Sequence, residues 1–432
     1  MGPTNPYPRP HQLSLDANHL GIFFTIGPGT MHDAHSSRRD WLPQVLVLGV
    51  VALLGTVPFW VTDLDLRAAA LFYHPELDNP WYQAEEPLWS FLYIAPPLLT
   101  GLVMLGGLLV LAGGNLWSGL RRLRLYAILV IAAALLGPGL VVNGVFKDNW
   151  GRPRPNQVEA LGGTKDYLPP LMVGERGKGK SFPCGHSSVG YMLGVFFLIW
   201  RRSRPRLAWV VLAGAIVLGT LIGVGRMTAG DHFLSDVIWS AVFAYGIALV
   251  LYYWVLRVPE RELAMAGRPP LEKAPLKHPV LAGVAYGLAS LGLLGGVLLA
   301  TPVNDSAQDL VRAGEFDPAP RALRIEADEA NLILYWMGGE DPGLFRLKAR
   351  GFGLPTARAN RNIAVRDGVL TYRVSHQGIF TERDTRLLVG LAASLWDRVE
   401  VRLGSGDILV HPVGPTGPEL DLESADGAVR RE

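Results

Sequence analysis

The sequence is short of cysteine, with one residue, Cys184, among 432. A single cysteine excludes an intramolecular disulfide, and it excludes a metal site built on several thiolates. Cysteine content therefore does not indicate the compartment. Nothing else in the sequence calls for a metal ion or an organic cofactor, and we expect neither.

Charge is also scarce. Charged residues make up 18% of the chain, against about 25% in a typical soluble domain. The formal net charge of +2 gives no bulk basic surface for nucleic acid. Apolar residues make up 49% and are concentrated in long uncharged runs. This distribution indicates a polytopic membrane protein rather than one large soluble core.

The N-terminal region lacks the pattern of a signal peptide. Residues 1–40 are polar and rich in Pro, Gly and His, with no apolar stretch directly after a basic start. We predict a disordered tail there, and we expect the natural chain to start at Met31, shortly before Arg38 and Arg39.

Seven apolar runs approach the roughly 20 residues that a membrane helix needs. The fourth is short, and we expect it to begin within Pro183–His186. None of the seven has Lys, Arg or Glu in its interior, and Asp236 is their one acidic residue. The alternative, buried helices of a soluble protein, is disfavoured by the charges of the connecting loops. The predicted spans are Leu42–Val61, Leu88–Ala112, Leu125–Phe146, Ser188–Trp200, Leu207–Val224, Leu234–Leu256 and Val280–Ala300.

Arg-rich stretches occupy every second connection, whereas the loop after the first span is acidic. The positive-inside rule places such stretches in the cytoplasm. We therefore predict a cytoplasmic N-terminus in a bacterial inner membrane, with Lys147–Ser187, Gly225–Phe233 and everything after Thr301 on the periplasmic side. The basic stretches contain Arg38, Arg39, Arg121, Arg122, Arg124, Arg201, Arg202, Arg204, Arg206, Arg257, Arg261, Arg268, Lys273 and Lys277.

Three polar segments fall on the predicted outer side: Lys147–Pro155, Ser181–Ser188 and Gly225–Asp236. The first two share a loop, and the third returns to the same side after two crossings. Their polar groups can therefore converge at one membrane surface.

Cations in these segments suit a phosphate group. Arg154 and Arg226 offer planar forks for phosphate oxygens, and Lys147 adds a point charge. Gly185 lets the backbone approach an anion closely, and a helix that starts there would direct free N–H groups at it.

Two histidines supply the remaining chemistry. On a helix, His232 and Asp236 would be neighbours because they are four residues apart. A carboxylate on one imidazole nitrogen leaves the other free to attack phosphorus, and His186 is then the general acid and later the base. No nucleophilic serine and no metal is required. Each residue alone also fits an ordinary role, such as a cap or a helix-dipole partner, so the prediction depends on the joint pattern.

Together the three segments resemble the signature of the type 2 phosphatidic acid phosphatase (PAP2) superfamily: K-x6-R-P, P-S-G-H and S-R-x5-H-x3-D. The resemblance implies His232 as nucleophile, Asp236 as its partner, His186 as acid and base, and three cations as phosphate ligands. It also implies an all-α polytopic membrane bundle with a six-helix core, to which this chain adds a seventh span. The matching residues are Lys147, Arg154, Pro155, Pro183, Gly185, His186, Arg226, His232 and Asp236.

Two positions depart from this signature, because Cys184 and Gly225 stand where it has serine. We expect Cys184 in the phosphate-binding set with a weaker donor but with its backbone N–H retained. It could alternatively be a second nucleophile. Gly225 merely lacks a hydroxyl group.

Further cations extend the outer loop, and they indicate either an ordinary solvated loop or attraction of anionic lipid headgroups. They are Arg152, Lys165, Arg176, Lys178 and Lys180.

The chain from Asp305 onward differs in composition and lacks a run long enough to span a membrane. We predict a small α+β or mostly β outer domain without a catalytic constellation, and a helix over Leu387–Trp396. His376 and His411 would be surface or core residues. The predicted strands are Ala322–Ile325, Asn331–Trp336, Phe345–Arg350, Thr371–Val374 and Val399–Leu403.

These expectations divide the chain into five parts: a disordered tail (1–40), a PAP2-like transmembrane phosphatase domain (41–257), a cytoplasmic linker with the seventh span (258–301), a periplasmic soluble domain (302–420) and a disordered tail (421–432).

The expected function is a metal-independent phosphatase that hydrolyses a phosphomonoester or pyrophosphate of a membrane lipid through a phosphohistidine. One alternative is a phosphotransferase that passes the phosphoryl group to a second lipid, such as a lipopolysaccharide anchor. Another is a transporter or anion-sensing receptor, which the gathering of ionisable groups at one surface disfavours. The expected partners are the bilayer and a lipid phosphate, without nucleic acid, and a soluble partner of the last domain is unknown.

Overall fold

The computed structural model describes residues 40–265 apart from Asp78 and Asp148, residues 279–412, and residues 417–431. The predicted tail, except for Asp40, and the predicted start at Met31 lie outside these ranges, as does most of the linker between the sixth and seventh spans.

The predicted apolar runs are helices. In the described part of the chain, six are long and apolar enough to cross a membrane, and one is shorter. Proline occupies the first turn of several, where its missing N–H costs nothing. In chain order they are α1 Leu42–Val61, α2 Pro87–Gly113, α3 Arg124–Lys147, the shorter α4 Gly185–Trp200, α5 Pro205–Met227, α6 Leu234–Val255 and α7 Pro279–Leu299.

Short helices join these spans. They are Leu64–Ala70, Ser118–Arg121 and Val258–Met265, with 3-10 turns at Tyr82–Glu85, Pro155–Gln157 and Glu159–Leu161. Within α3, the α-helix of Arg124–Ala134 widens into a π-helical stretch over Leu135–Lys147. Pro138 in this stretch has no backbone donor, and π-helical turns are frequent at functional sites.

Helices α3 to α6 form the buried centre, and α7 packs on α2 at the periphery. The α7 helix has no buried residue, and it is held in part by the Tyr286 hydroxyl, which donates to the Leu111 carbonyl at 3.0 Å. At the centre, α4 and α5 lie in close contact at Gly190 and Gly219. A Cβ on Gly190 would lie 2.6 Å from the Gly219 Cα. Only glycine allows this approach, which fixes the position of α4, the helix that begins at Gly185.

The domain that starts at Thr301, which we call the outer domain after its predicted location, is a sandwich of two sheets. The six-stranded sheet has the order β1-β4-β7-β3-β9-β11 and the five-stranded sheet β10-β8-β2-β6-β5. Alternate residues of both sheets form one apolar core. The strands are β1 Thr301–Val311, β2 Ala322–Ala327, β3 Asn331–Met337, β4 Gly343–Gly353, β5 Arg358–Arg366, β6 Val369–Gln377, β7 Phe380–Ala392, β8 Arg398–Leu403, β9 Ile408–Val410, β10 Glu419–Ser424 and β11 Val429–Arg431.

Two predictions for this domain are wrong. Leu387–Trp396 is not a helix, because most of it belongs to strand β7, where Leu387, Val389 and Leu391 alternate into the sandwich core. The segment predicted as a disordered tail, 421–432, instead contains most of β10 and all of β11. Strand β10 is held by parallel pairing with β8, and its Leu420 and Leu422 pack on the core.

The outer domain lies against the loops of the membrane domain. Lys178 pairs with Asp426, Lys165 with Asp407 at 3.4 Å and Arg430 with Glu159 at 2.7 Å. The β4 and β7 strands direct their outward-facing residues toward the helix ends that carry the predicted site. One such contact is the ion pair between Lys348 of β4 and Glu85.

Candidate active site

Each predicted site residue lies at or next to a helix end. Lys147 ends α3 and Arg226 is the penultimate residue of α5, while His186 and Asp236 lie in the first turns of α4 and α6. Arg154 precedes the 3-10 turn at Pro155. The chain therefore brings polar groups to one end of the helical bundle while the helices themselves stay apolar.

The structure brings the three predicted phosphate-binding cations together. The Asp231 carboxylate bridges two of them, 3.0 Å from Arg154 Nη1 and 3.2 Å from Arg226 Nη2. Burial would raise the pKa of Asp231, but Arg226 and Arg154 hold it below its ordinary value. Asp231 precedes His232 directly, and nothing in the sequence singled it out.

A second acidic residue joins the same cations from the outer domain. Glu382 of β7 lies 3.2 Å from Lys147 Nζ, 3.3 Å from Arg226 Nη2 and 3.5 Å from Arg154 Nη2. No local sequence signal marks Glu382, because its position depends on how the outer domain lies over the helices.

His232 is fully buried and lies in the loop just before α6. Its Nδ1 is 2.5 Å from the Ser181 carbonyl and 3.8 Å from Asp236 Oδ2. The direct acceptor is therefore the Ser181 backbone rather than the Asp236 carboxylate, and the two residues do not share one helix as we had expected. Burial opposes protonation, but the Cys184 sulfur and Asp236 raise the pKa of His232 to about 9.

Asp236 instead anchors a buried polar network. It accepts from Arg152, from the Ser181 hydroxyl at 2.6 Å and from the Phe233 N–H at 2.8 Å. Arg152 also pairs with Asp65 at 2.7 Å, and both side chains are fully buried. Arg152 is thus neither a solvated loop residue nor a lipid attractor, because its guanidinium is enclosed between two carboxylates. Asp236 fixes the loop that carries His232.

His186 is covered by aromatic rings. Tyr93 stacks on it with ring centroids 5.1 Å apart, and Phe352 of the outer domain lies 5.5 Å away. The guanidinium of Arg226 lies over the same Tyr93 ring, 4.5 Å from its centroid. Tyr93 and Phe352 were not predicted, since an aromatic residue in a span or a strand ordinarily indicates packing.

Cys184 and its neighbours form the start of α4. The Cys184 side chain is fully buried, and its backbone N–H donates to the Asp236 carbonyl at 3.3 Å rather than pointing to an open phosphate position. Burial would raise the pKa of the Cys184 thiol, but His232 and Ser187 lower it. Gly185 lies against Asn143, where a Cβ would be 2.5 Å from the amide oxygen.

Gly225, which replaces a serine of the signature, has a packing reason of its own. A Cβ at this position would lie 3.2 Å from the Trp89 ring of α2. A serine would therefore require Trp89 to move by a few tenths of an ångström.

Three buried nitrogen atoms of the site have no hydrogen-bond partner among the residues that the structure describes: Nε2 of His232, Nε2 of His186 and Nε of Arg226. Buried polar groups without partners are rare in native proteins and call for an explanation. Two imidazole nitrogens without a partner beside three clustered cations form an arrangement suited to binding and attacking a phosphate group.

The chain is similar to known membrane phosphatases. The model of the PAP2 superfamily matches residues 124–260. A lipid A 4′-phosphatase of Francisella tularensis subsp. novicida (strain U112) is 42% identical over 223 residues, which cover 50% of this chain and 97% of the relative. A lipid A 4′-phosphatase of Rhizobium leguminosarum is 32% identical over 126 residues, covering 28% of this chain and 52% of the relative.

Among solved structures, the chain is similar to a transmembrane PAP2-type phosphatidylglycerolphosphate phosphatase from Bacillus subtilis. It has 20% sequence identity and a TM-score of 0.29, and the alignment covers 52% of this chain and 98% of that one.

Proposed function

Because the chain belongs to the PAP2 superfamily of membrane phosphatases, we propose that it hydrolyses a lipid phosphomonoester through a phosphohistidine formed on His232. The observation that carries the proposal is the buried Nε2 of His232, which has no partner among the described residues and lies beside the cluster of Lys147, Arg154 and Arg226. These cations and Gly185 form the proposed phosphate-binding set. Cys184 is not part of it, because its side chain is fully buried and its backbone N–H donates to the Asp236 carbonyl.

The first step transfers the phosphoryl group to the enzyme. In the neutral ring, Nδ1–H of His232 donates to the Ser181 carbonyl, so the lone pair of Nε2 is available for attack. The N–P bond forms while the bond between phosphorus and the lipid oxygen breaks. His186 gives its proton to that leaving oxygen, and the three cations stabilise the charge on the phosphoryl oxygens.

The second step returns the enzyme to its starting state. Neutral His186 takes a proton from water, whose oxygen attacks phosphorus as the N–P bond breaks. The products are inorganic phosphate and free His232. Asp236, 3.8 Å from His232 Nδ1, stabilises the positive ring of the phosphohistidine.

We propose a glycolipid phosphomonoester of the lipid A type as substrate. Support comes from the Francisella relative, a lipid A 4′-phosphatase that this chain matches over 97% of the relative's length. The Arg-rich loops support a location in a bacterial inner membrane with the site on the periplasmic side, where such a lipid would present its headgroup to the helix ends.

The test is phosphate release by the purified full-length protein in detergent with a chelator present. The panel contains lipid A carrying a 4′-phosphate, phosphatidate, phosphatidylglycerophosphate and a prenyl pyrophosphate. We expect release from lipid A, and loss of at least about a hundredfold in His232→Ala and His186→Ala, the range of general acid–base and nucleophilic contributions.

His74→Ala is the matched control, because His74 lies in an outer loop beside Glu76 and Gln83. Turnover of no lipid in the panel would contradict the proposal. Inclusion of a second lipid acceptor, followed by mass analysis of both lipids, distinguishes hydrolysis from phosphotransfer.

A further inference from the structure

One side chain of the outer domain reaches into the group of cations expected to hold phosphate. The two carboxylate oxygens of Glu382 lie 3.2 to 3.5 Å from Lys147, Arg154 and Arg226. These are the three cations that match the phosphate-binding positions of the signature, and they come from three separate segments of the membrane domain. A carboxylate that contacts all three occupies the place where phosphate oxygens would lie.

Glu382 is held in this place as an anion. Its side chain is 14% exposed. Burial alone would raise its pKa, but Lys147 and Arg226 hold the pKa of Glu382 well below its ordinary range. Removal of such a carboxylate from three cations costs free energy, so an incoming anion has to offer more than the contacts that it displaces.

Glu382 changes the net charge of the residues that would contact a phosphate. Lys147, Arg154 and Arg226 contribute three positive charges, and Asp231 neutralises one of them. The remaining excess equals the charge of a phosphate dianion. With Glu382 in place, the charges of these five contacting residues sum to one positive charge, so this closed arrangement, in which Glu382 contacts the cations, is less suited to hold a dianion as well.

Strands β4 and β7 of the outer domain place Glu382 against the cations and Phe352 against His186. In the β4–β7 register, Glu382 pairs with Phe352, so both side chains leave the sheet on the same side. Phe352 stacks on Tyr93 with centroids 4.7 Å apart and lies over His186. Arg386, four residues further along β7 and on the same face, donates to the Ala229 carbonyl at 3.0 Å. One face of the β4–β7 pair therefore covers both the cations and the acid–base histidine.

We propose that Glu382 is an internal competitor for the phosphate group: its carboxylate fills the cation cluster between turnovers, leaves when a phosphate binds, and on its return displaces the product phosphate. The proposal rests on the proposed function only for the identity of the natural ligand as a lipid phosphate. We call a molecule open when Glu382 has left the three cations. When only a fraction of the molecules is open, the apparent affinity for a ligand is reduced by that fraction. Glu382 therefore lowers the affinity for every phosphate, including the product.

The test is binding of inorganic phosphate to the full-length protein in detergent, measured by calorimetry for the wild type and Glu382→Gln. Glutamine has the same shape without the charge. We expect Glu382→Gln to bind phosphate at least about tenfold more tightly, because the closed state loses its three ion pairs. In turnover assays the same variant should be inhibited by correspondingly lower phosphate concentrations.

Glu329→Gln is the matched control. Glu329 pairs with Arg383 at 2.7 Å, and Arg383 is the β7 neighbour of Glu382 on the opposite side of the strand, so this change should leave phosphate binding as in the wild type. Equal or weaker phosphate binding by Glu382→Gln would overturn the proposal, since weaker binding would make Glu382 part of the binding site.

Glu382→Asp gives the answer if Glu382→Gln does not fold. It keeps the charge on a shorter side chain, so it should bind phosphate more tightly than the wild type but less tightly than Glu382→Gln. No gain in affinity would overturn the proposal. The two proposals can fail separately. Tighter phosphate binding by Glu382→Gln without turnover of any lipid would support the competitor role and contradict the phosphatase function. Lipid turnover together with unchanged phosphate affinity in Glu382→Gln would support the phosphatase function and contradict the competitor role.

Discussion

At His232 the two ring nitrogens have different surroundings, and this difference supports the roles that we propose for them. Nδ1 has an acceptor in the Ser181 carbonyl, whereas Nε2 is buried without a partner among the described residues. The neighbouring Cys184 sulfur favours the protonated ring and raises the pKa of His232 to about 9, against the effect of burial. A protonated imidazole has no lone pair to attack with, so we expect Cys184 to affect the pH range in which His232 can act as the proposed nucleophile.

Replacement of Cys184 tests this coupling. Serine does not ionise in the relevant range, so in Cys184→Ser the imidazolium loses a favourable partner and the pKa of His232 falls. Because His232 has to be neutral to attack, the acidic limb of the kcat/KM profile should move to lower pH by about one unit. The profile is measured with the lipid substrate across the neutral and alkaline range.

Ser188→Ala is the control for this change, because the Ser188 hydroxyl donates to the Gly185 carbonyl at 2.6 Å within α4. Its acidic limb should stay in place. An unshifted limb in Cys184→Ser would show that the thiol does not set the protonation of His232.

Residues that carry a recognisable chemical pattern could be found in the sequence, and residues defined by tertiary packing could not. Lys147, Arg154 and Arg226 were predicted from charge and spacing, and the structure brings them within reach of one carboxylate. Arg152 looked like another loop cation, but burial between two carboxylates gives it a different role. Glu382 has no local pattern, because only the docking of a separate domain places it there.

At the scale of the helices, the site depends on how closely α4 and α5 approach. His186 is carried by α4 and Arg226 by α5, and the two helices meet where Gly190 faces Gly219. Small residues at helix contacts are the usual means of close packing within a membrane. Any side chain at this contact would separate the two helices, and with them the proposed acid–base group His186 and the proposed phosphate ligand Arg226.

Gly190→Ala should therefore destabilise the protein and reduce turnover. A Cβ would lie 2.6 Å from the Gly219 backbone, and overpacking of this kind costs about 1–3 kcal/mol. The measurement is thermal unfolding in detergent together with phosphate release. Gly214→Ala, on α5 with no atom within 4 Å of its Cβ position, should unfold at the wild-type temperature or slightly above. Equal behaviour of the two variants would contradict the role of this contact.

Apolar runs predicted the helices well because a membrane helix satisfies its own backbone and leaves its side chains to meet lipid. Strand β7 was harder to predict. The run of Leu387, Leu388 and Val389 is apolar on successive residues, which suits a helix as well as a strand with both faces covered. Pairing with β3 and β4 determines the outcome, and sequence periodicity does not contain this information.

For the whole molecule, the arrangement across the membrane connects the site, the outer domain and the lipid. The Arg-rich loops predict that α4 and α5 are joined on the cytoplasmic side, and that the β domain lies outside with the site. Ion pairs such as Lys165–Asp407 and Arg430–Glu159 hold the outer domain against the loop that carries Arg154. A lipid substrate would have to enter beneath this domain.

Single engineered cysteines test the orientation, because the natural Cys184 is buried and contributes little background. We expect a membrane-impermeant maleimide to label Glu340→Cys, in an exposed turn of the outer domain, in cells whose outer membrane has been permeabilised. Ser203→Cys, in the exposed loop between α4 and α5, should react only after lysis. The reverse pattern would place the site on the cytoplasmic side.

The central claim, a phosphoryl group carried by His232, is tested most directly by trapping the intermediate. The full-length protein is mixed with lipid A labelled in its 4′-phosphate, quenched in alkali within one turnover, and digested for mass analysis. We predict an acid-labile, alkali-stable phosphoryl group on the peptide that contains His232, which is absent in His232→Ala and persists longer in His186→Ala. Label on Cys184, or turnover without any labelled protein, would contradict the account.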